Sequence, residues 1–425
     1  MGGSELILVA LAACAGAVTL LLFHASPRLT FAVWASVLFF VPVWVGVTVG
    51  FFWSAITLVT LAALAANIKN LRIIVADILM LLFVALALLL FTLDMASLAA
   101  TLTALLEWTL PYIWGRIVLS NLDTEYLTKL IALVAMVAAT LAIVEVLSGQ
   151  NVFSAIPALS PELYAEWSPP QFRGGSLRAE GAWGHSIALG AALSMSSSFI
   201  MAARWSGAVR VLGLAVVSTA TVLTLSRIGM ATLVLTIVLS LVVLPQLSRA
   251  LRFGLAASAL LAALIVVPFV ETILLRAGEE AAGSADYRSQ LFSLVGQLRP
   301  FGGATDWSVV IDDVYLGSFA RSIDNAALLF ALRFGWVPAL LLLVILVLAA
   351  LPAFRRAHSS PAAVAVAAQV PALFAVALIT QFGVMLWFLA GVAVSWRQAK
   401  STNTAPDEAR NLEDRRYLKA GAFFG

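Results

Sequence analysis

Apolar stretches long enough to form membrane-spanning helices alternate with short polar turns along most of this 425-residue chain. They cover approximately residues 6–23, 29–47, 51–67, 72–93, 95–115, 129–147, 184–203, 211–225, 228–246, 253–273, 328–351, 362–379 and 382–396. A helix that crosses the hydrocarbon core of a bilayer needs about 20 mainly apolar residues. The pattern therefore predicts an all-α, polytopic transmembrane helix bundle of about 12–14 helices.

Two long polar segments, residues 148–183 and 274–327, interrupt this apolar pattern. Both carry too many charged and polar side chains to lie in hydrocarbon, so we expect them outside the membrane. Within the second segment, residues 286–299 repeat apolar side chains at helical spacing, which predicts an amphipathic helix. Its apolar face consists of Tyr287, Leu291, Leu294, Val295 and Leu298. The following sequence Pro-Phe-Gly-Gly, residues 300–303, is typical of a helix end.

Composition supports the membrane class and excludes a soluble globular protein. Hydrophobic residues make up 62% of the chain, charged residues make up 11%, and the mean hydropathy is +1.02. The net charge of +3 comes from basic loops, so it gives no reason to expect a nucleic-acid partner. The single cysteine, Cys14, lies in the first apolar stretch and has no second thiol to pair with. Helix packing alone must therefore hold the fold together.

The positions of lysine and arginine predict the orientation of the bundle. The short loops 68–72, 204–210, 246–252 and 354–356 are basic, and basic short loops remain in the cytoplasm. The two long polar segments alternate with these loops, so we expect both on the outer, periplasmic side. Residues 1–396 then form a single transmembrane domain. Residues 397–425 mix both charge signs with Pro, Asn and Thr, which predicts a flexible cytoplasmic tail.

The first polar segment contains a glycine-rich stretch with two arginines, Arg173 and Arg178. Glycine lets a backbone approach a ligand closely, and the planar guanidinium group matches the geometry of phosphate oxygens. The alternative is that both arginines are anchors at the level of the lipid head groups. Glu180 and His185 follow in the same stretch. An isolated histidine at the start of a helix is more often a packing residue than a base.

A further arginine, Arg227, interrupts the apolar residues 211–244. Arginine at such a depth is costly unless it has a partner, which makes it a candidate functional residue. The alternative is a simple anchor for the turn. The orientation places Arg227 on the same outer side as Arg178 and Arg288, so we expect these three arginines to converge on one cavity.

The second polar segment contains several further charged or polar candidates: Arg288, Asp312, Asp313, Arg321, Asp324 and Asn325. Most acidic residues in such a loop are merely solvated. The sequence has no Walker A loop, no histidine pair at zinc spacing, no Gly-x-Ser-x-Gly and no Cys-x-x-Cys. It therefore gives no support to ATP hydrolysis, zinc chemistry or acyl transfer through a serine elbow, and we expect no metal or cofactor.

Four of these stretches resemble motifs of the O-antigen ligase and Wzy-type polysaccharide polymerase superfamily. Residues 178–190 resemble its Arg-x-x-Gly-x-Phe-Gly-His/Asn-Pro-Asn-x-Leu-Gly stretch, with departures at Trp183, Ser186 and Ile187. Residues 224–229 are similar to its Thr-x-Ser-Arg-Gly turn. Arg288 with residues 300–303 resembles part of its large periplasmic loop. Residues 322–325, followed by 332–338, resemble its entry to the next helix. The resemblance covers residues 140–351.

The resemblance implies an inverting, metal-independent membrane glycosyltransferase of the bacterial inner membrane. Its donor would be a glycan linked to undecaprenyl diphosphate, which a set of arginines holds at a periplasmic site. Bilayer lipids and a chain-length regulator protein are the other implied partners. Asp324 stands where ligases have a histidine, and it becomes the candidate base. Residues with implied catalytic roles are Asp324, Arg227 and Arg288. Residues with implied substrate-binding roles are Arg173, Arg178, Glu180, His185, Arg321 and Asn325.

Three functions remain open at this point. The leading interpretation is a polymerase of exopolysaccharide or O-antigen repeat units, because Asp324 replaces the ligase histidine. The second is a ligase that transfers glycan to a lipid acceptor. The third is a transporter of lipid-linked oligosaccharides, for which charged residues in broken helices near mid-membrane would be typical.

Overall fold

A computed structural model of the chain describes residues 3–68, 72–260, 264, 291–304 and 323–396. In this part the protein is mostly helical, with two short antiparallel β-hairpins in addition. The prediction of a helical fold is therefore confirmed at this level. The predicted tail, residues 397–425, lies outside the described residues.

The α-helices in chain order are α1 (Gly3–Ala25), α2 (Pro27–Phe40), α3 (Ala55–Asn67), α4 (Val75–Thr92), α5 (Leu98–Thr103), α6 (Leu110–Asn121), α7 (Thr124–Ser148), α8 (Pro161–Trp167), α9 (Ser186–Ala202), α10 (Gly207–Leu223), α11 (Arg227–Val243), α12 (249–260), α13 (Ala326–Phe334), α14 (Trp336–Ala350), α15 (Pro361–Gln369) and α16 (Gln381–Trp396). A π-helical segment, Ala104–Thr109, joins α5 to α6. The strands are β1 (Gly46–Val49), β2 (Phe51–Ser54), β3 (Phe172–Arg173) and β4 (Ser176–Leu177).

Three helical stretches are long and apolar enough to cross a membrane: Val75–Thr92, Thr124–Ser148 and Trp336–Phe354. A fourth results if Cys14–Ala25 and Pro27–Phe40, which are bent by 119° at their junction, are one span. The other apolar helices of the described part have 10–17 residues. The length of single helices thus supports three or four spans, and the larger predicted number depends on these shorter helices.

The chain between α2 and α3 forms a β-hairpin, where the sequence pattern predicts helix up to residue 47. Helix α2 ends at Phe40 because Pro42 follows closely, and the residue before a proline avoids helical backbone. Val41 is accordingly extended. Strands β1 and β2 then pair around Gly50, whose φ of +73° suits a tight turn. Their β-branched and aromatic side chains favour strand over helix here.

The predicted span 328–351 is broken at Gly335, which has a φ of +91°. A Cβ atom at this position would lie 2.6 Å from the carbonyl oxygen of Pro300, so only glycine fits. The break leaves backbone N–H groups without helical partners. Those of Trp336 and Val337 donate to the carbonyls of Arg299 and Pro300, at 2.9 and 3.1 Å. The turn after the second polar segment thus closes a gap in the helix.

The described part of the predicted amphipathic helix is a 3₁₀-helix, Phe292–Gln297, rather than an α-helix. Residues 286–290 lie outside the described residues. Leu291 and Leu294 are buried, because they pack on helix α13. Val295, which α-helical spacing assigns to the same face, is 50% exposed. The prediction of an apolar face was right, but its period of 3.6 residues was wrong in this part.

Helix α9 is the centre of the bundle. All of its residues are buried except Ile187, and it packs against α7, α10, α11 and α15. Small residues bring its neighbours close, since a Cβ at Gly190 would lie 3.5 Å from the Cα of Gly229. Ser194 donates to the Thr232 hydroxyl at 2.9 Å. These contacts hold the helices together. Apolar burial alone could not do so, because lipid tails are as apolar as the helix surfaces.

The loops gather at two ends of the bundle. At the first, which we call the loop end, the described parts of both polar segments meet the hairpin and the turns between helices. Its backbone contacts include Ala179 N to Leu223 O, Gly303 N to Met95 O and Ala326 N to Val376 O. At the second, the basic end, Tyr126 donates to Arg28 O, and Arg204 pairs with Glu125. This alternation of ends agrees with the predicted order of the loops.

An ion pair between Arg116 and Asp77 lies at the basic end, and both of its side chains are largely buried. Arg116 is 3% exposed. Its Nε and Nη2 atoms donate to the two carboxylate oxygens at 2.7 and 2.8 Å. Nη1 donates to Ser395, and Nη2 also donates to the carbonyl of Arg72. Tyr112 donates to the same carboxylate. The network satisfies both charges and ties α4 to α6 and α16.

We expect Asp77→Asn to lower the stability of the folded protein. Removal of one partner from a buried ion pair costs about 3–5 kcal/mol, because the other charge stays buried without compensation. Thermal unfolding of the purified protein in detergent measures this loss. Lys129→Gln is the matched control, since it breaks an exposed i, i+4 pair with Glu125 that is worth about 0.3–0.5 kcal/mol. Equal losses in both variants would contradict the assignment of Asp77 and Arg116 as the stabilising pair.

Candidate functional site

The first polar segment docks on the turn that follows helix α10. The last carbonyls of a helix have no partners within it, and they form the negative end of the helix dipole. Three successive ones here accept hydrogen bonds from the polar segment. Leu223 O accepts from the backbone N–H of Ala179 at 3.0 Å. Thr224 O accepts from Arg178 Nε at 2.9 Å, and Leu225 O accepts from Arg173 Nη1 at 2.6 Å.

This turn also places Arg227. Leu225 has a φ of +49°, which reverses the chain between α10 and α11. Ser226 then caps α11 by accepting from the N–H of Gly229 at 3.1 Å. Arg227 is the first residue of α11, and its side chain is exposed. Arg173, Arg178 and Arg227 are therefore gathered at one turn of the loop end, which we call the arginine turn. Arg288, the third arginine expected to converge, lies outside the described residues.

A buried glutamate, Glu145, supports the loop that carries Arg178. Its carboxylate accepts hydrogen bonds from the backbone N–H groups of Gly181, at 2.9 Å, and Glu180, at 3.3 Å. Glu145 lies near the end of α7 and is 5% exposed. Sequence reasoning missed this residue. The signal was present, because a single carboxylate in an otherwise apolar stretch is costly and therefore indicates a functional or structural role.

Glu180, expected to bind substrate, is 2% exposed and faces the protein. Its carboxylate accepts a hydrogen bond from the backbone N–H of Gln171. Burial raises the pKa of the Glu180 carboxyl to about 8, the Gln171 hydrogen bond opposes the rise, and the nearby charge of Glu145 adds to it. A protonated Glu180 still accepts this hydrogen bond, so in the structure it holds the loop in shape.

His185 begins helix α9 as its cap. Its Nδ1 atom accepts from the backbone N–H of Ile187 at 3.1 Å, so this nitrogen carries no proton. The ring packs edge-on against Trp167, with centroids 6.3 Å apart. Beside it, Gln171 accepts from the Ser186 hydroxyl at 2.9 Å. His185 lies close to Arg173 and Arg178. In the structure it fixes the start of α9.

The candidates of the second polar segment are placed only in part. Arg321, Asp312 and Asp313 lie outside the described residues, like Arg288. Asn325 caps helix α13, since its Oδ1 atom accepts from the N–H of Leu328 at 2.9 Å. A contact of this residue with substrate would therefore use its amide nitrogen.

Asp324 comes immediately before that cap and is half-buried. It lies at the loop end, since Ala326 bonds to Val376 there. The helix mouth that was expected to carry the candidate base thus opens at the same end of the bundle as the arginine turn.

A polar groove of about 570 Å³ lies beside the arginine turn. Its wall contains Glu145, Gln150, Asn151, Ser154, Ser168 and Leu177. Leu177 directly precedes Arg178, so the groove borders the segment that carries this arginine. Among the described residues, no cluster of three or more His, Cys, Asp or Glu side chains could hold a metal ion. The groove can offer hydrogen bonds to a hydroxyl-rich ligand, next to positive charge for an anionic one.

No protein-family model matches the chain, and no curated protein matches it. The argument about function therefore depends on the motifs and on the geometry of the site.

We expect the stability of the protein to fall as the pH rises from about 5 to about 8, partly because of Glu180. A carboxyl whose pKa is raised on folding binds its proton more tightly in the folded state, so deprotonation in this range favours unfolding. Thermal midpoints across this pH range measure the effect. Glu180→Gln should flatten the profile, whereas the exposed Glu162→Gln on the same segment should leave it unchanged. An identical profile in Glu180→Gln would show that Glu180 is ionised throughout.

Proposed function

We propose that this protein is a membrane glycosyltransferase that polymerises glycan units linked to a lipid diphosphate. The observation that supports this most directly is the arginine turn, where the guanidinium groups of Arg173 and Arg178 bond to the backbone just before Arg227, in a distant part of the chain. Such a site is built for a multiply charged, planar or tetrahedral anion, and diphosphate is the anion of this kind that lies at a membrane surface.

Two of the arginines are oriented by backbone carbonyls. A carbonyl accepts a hydrogen bond and fixes the guanidinium without adding a full negative charge, as a carboxylate would. Arg173 and Arg178 are held in this way by Leu225 and Thr224. These bonds therefore fix the direction of both guanidinium groups. A fixed positive site stabilises the negative charge that develops on a departing diphosphate, without a divalent cation.

The reaction that follows is a direct displacement with inversion at the anomeric carbon. An acceptor hydroxyl forms the new glycosidic bond while the bond to the diphosphate oxygen breaks, and the electron pair leaves with the diphosphate. In this proposal the diphosphate leaving group is bound by Arg178, Arg227 and Arg288. Asp324 accepts the hydroxyl proton. The groove beside the arginine turn receives the acceptor glycan.

The proposed location is the bacterial inner membrane, with the loop end in the periplasm. Basic residues at the opposite end support this orientation, since basic short loops stay in the cytoplasm. The lipid part of an undecaprenyl diphosphate donor would remain in the bilayer. A chain-length regulator protein is a proposed partner, and a ligase that transfers glycan to a lipid acceptor would use the same site.

A second candidate function is transport of lipid-linked oligosaccharides. The break at Gly335, with Arg333 two residues before it, is a feature of transporters, in which interrupted helices line the substrate path. In this protein, however, the turn after the second polar segment fills the break and satisfies its N–H groups. A purified protein that lengthens glycan in detergent, where no second compartment exists, would exclude transport as its only activity.

Arg227→Ala should weaken binding of undecaprenyl diphosphate and lower transfer from lipid-linked glycan. The loss of one charge-assisted contact costs about 1.5–3 kcal/mol, which corresponds to about 10- to 100-fold in affinity. Arg227 is exposed, so the fold should survive, and binding can be measured by isothermal titration in detergent. Arg204→Ala at the basic end removes an exposed arginine as the control. Equal weakening in both variants would indicate nonspecific attraction of the anionic lipid.

Asp324→Asn should abolish polymer formation while binding of the lipid diphosphate stays within about twofold of the unchanged protein, because the amide cannot accept a proton at neutral pH. Gel analysis of the glycan product, together with the titration used for Arg227→Ala, separates the two effects. Full activity of Asp324→Asn would eliminate this residue as the base.

A further inference from the structure

A second cavity, of about 310 Å³, borders helix α8 at Leu163 and Trp167. It is enclosed by the hairpin, the π-helical segment and the start of α16. Its aromatic wall contains Phe51, Phe52 and Trp167, and its polar wall contains Glu107, Thr380 and Gln381. Trp167 also contacts His185, so the cavity adjoins the arginine turn. Its volume is within the range of sites for small ligands, which is about 300–1,000 Å³.

Glu107 faces this cavity because the helix around it is π-helical. Thr109 donates to the carbonyl of Ala104, five residues earlier, at 2.9 Å. Single π-helical turns are rare and occur frequently at functional sites, since the extra residue turns a side chain away from its regular position. The charge of Glu107 interacts with Arg333 on α13, which partly offsets it. The wall of the cavity thus contains a carboxylate but little net charge.

Two side chains of the wall, Thr380 and Gln381, each contain an oxygen atom without a hydrogen-bond partner among the described residues. Gln381 is 2% exposed, and its Nε2 atom donates to the carbonyl of Val41 at 2.8 Å. Its Oε1 atom is buried without a partner among the described residues, and so is Oγ1 of Thr380. Thr380 also has a φ of +48°, a strained backbone conformation for a β-branched residue. A buried acceptor without a donor is costly, and rotation of either side chain into the cavity would bring its oxygen within reach of a ligand's donors.

We propose that this cavity is a subsite for one uncharged sugar ring of the glycan substrate. Carboxylate and amide oxygens accept hydrogen bonds from sugar hydroxyls, and the aromatic wall can cover the apolar face of the ring. The inference rests on the proposed function and adds its specificity: the arginine turn binds the anionic part of the substrate, and the cavity selects a neutral ring.

The chemistry of the wall disfavours the other polar occupants. None of the side chains that line the cavity is basic, so a phosphate group would find no cationic partner among them. Arg333 already compensates the charge of Glu107, so the wall has little attraction for a cationic ligand. A purely apolar chain would leave the oxygens of Glu107, Thr380 and Gln381 without donors. A neutral molecule with several hydroxyl groups is the class that satisfies all these contacts.

Protection of an introduced thiol tests the subsite without any transfer reaction. In a Cys14→Ser background, Thr103→Cys places a thiol in the wall of the cavity, and a small water-soluble methanethiosulfonate labels it. The probes are the methyl glycosides of glucose, galactose, mannose and N-acetylglucosamine. A glycoside that binds should slow labelling about tenfold when its concentration is ten times its Kd. The control is Leu159→Cys in the first polar segment, where Leu159 is 78% exposed. This thiol should be labelled at the same rate with or without glycoside.

Glu107→Gln in the same background should raise the half-protecting glycoside concentration about fivefold, because a neutral amide accepts a weaker hydrogen bond than a carboxylate. The proposal is overturned if no glycoside slows labelling of Thr103→Cys, or if dodecanol protects it and the glycosides do not, since the site would then hold an apolar chain. Protection by a glycoside in a protein that fails to bind undecaprenyl diphosphate would refute the proposed function and leave the subsite standing.

Discussion

The structure depends most on the three hydrogen bonds that cover the end of helix α10. In a bilayer, a backbone carbonyl without a donor costs several kcal/mol, so each helix end near the hydrocarbon must find partners. Here the partners are Ala179 and the side chains of Arg178 and Arg173, all from the first polar segment. The same bonds dock that segment, shape the turn before Arg227 and fix two of the three arginines. One requirement of backbone chemistry thus produces both the packing of the loop end and its positive charge.

The same requirement explains the break at Gly335. A helix that begins inside the bundle has backbone N–H groups without helical partners, and here the carbonyls of Arg299 and Pro300 accept hydrogen bonds from them. In each case a segment distant in sequence completes a helix end. Apolar burial cannot supply this kind of specificity, because lipid tails are as apolar as the helix surfaces that they cover. Hydrogen bonds from irregular segments therefore add to the close packing of small residues in holding particular helices together.

These long-range partnerships also mark the limit of what the sequence could predict. The apolar stretches predicted the helices, and the basic loops predicted which turns share an end. The hairpin at Gly50 and the break at Gly335 were missed, since apolar composition is the same in a strand, a helix and a broken helix. Arg173 and Arg178 could be singled out, but nothing local revealed that both bond to the carbonyls of Leu225 and Thr224. Glu145 and Glu107 were passed over because a lone carboxylate in an apolar stretch does not name its partner.

The arginine turn and the cavity around Glu107 differ in electrostatic character, and this difference follows from the same architecture. At the arginine turn, backbone carbonyls orient the guanidinium groups of Arg173 and Arg178. In the cavity, oxygen acceptors line the wall around Glu107, and in our proposal these bind hydroxyl groups. Trp167 lies between the two regions and contacts both the second cavity and His185. A substrate that joins a diphosphate to a sugar has the same sequence of an anionic group and a neutral, hydroxyl-rich one. If the proposed function holds, the spacing of the two regions would set which sugar, counted from the diphosphate, is recognised.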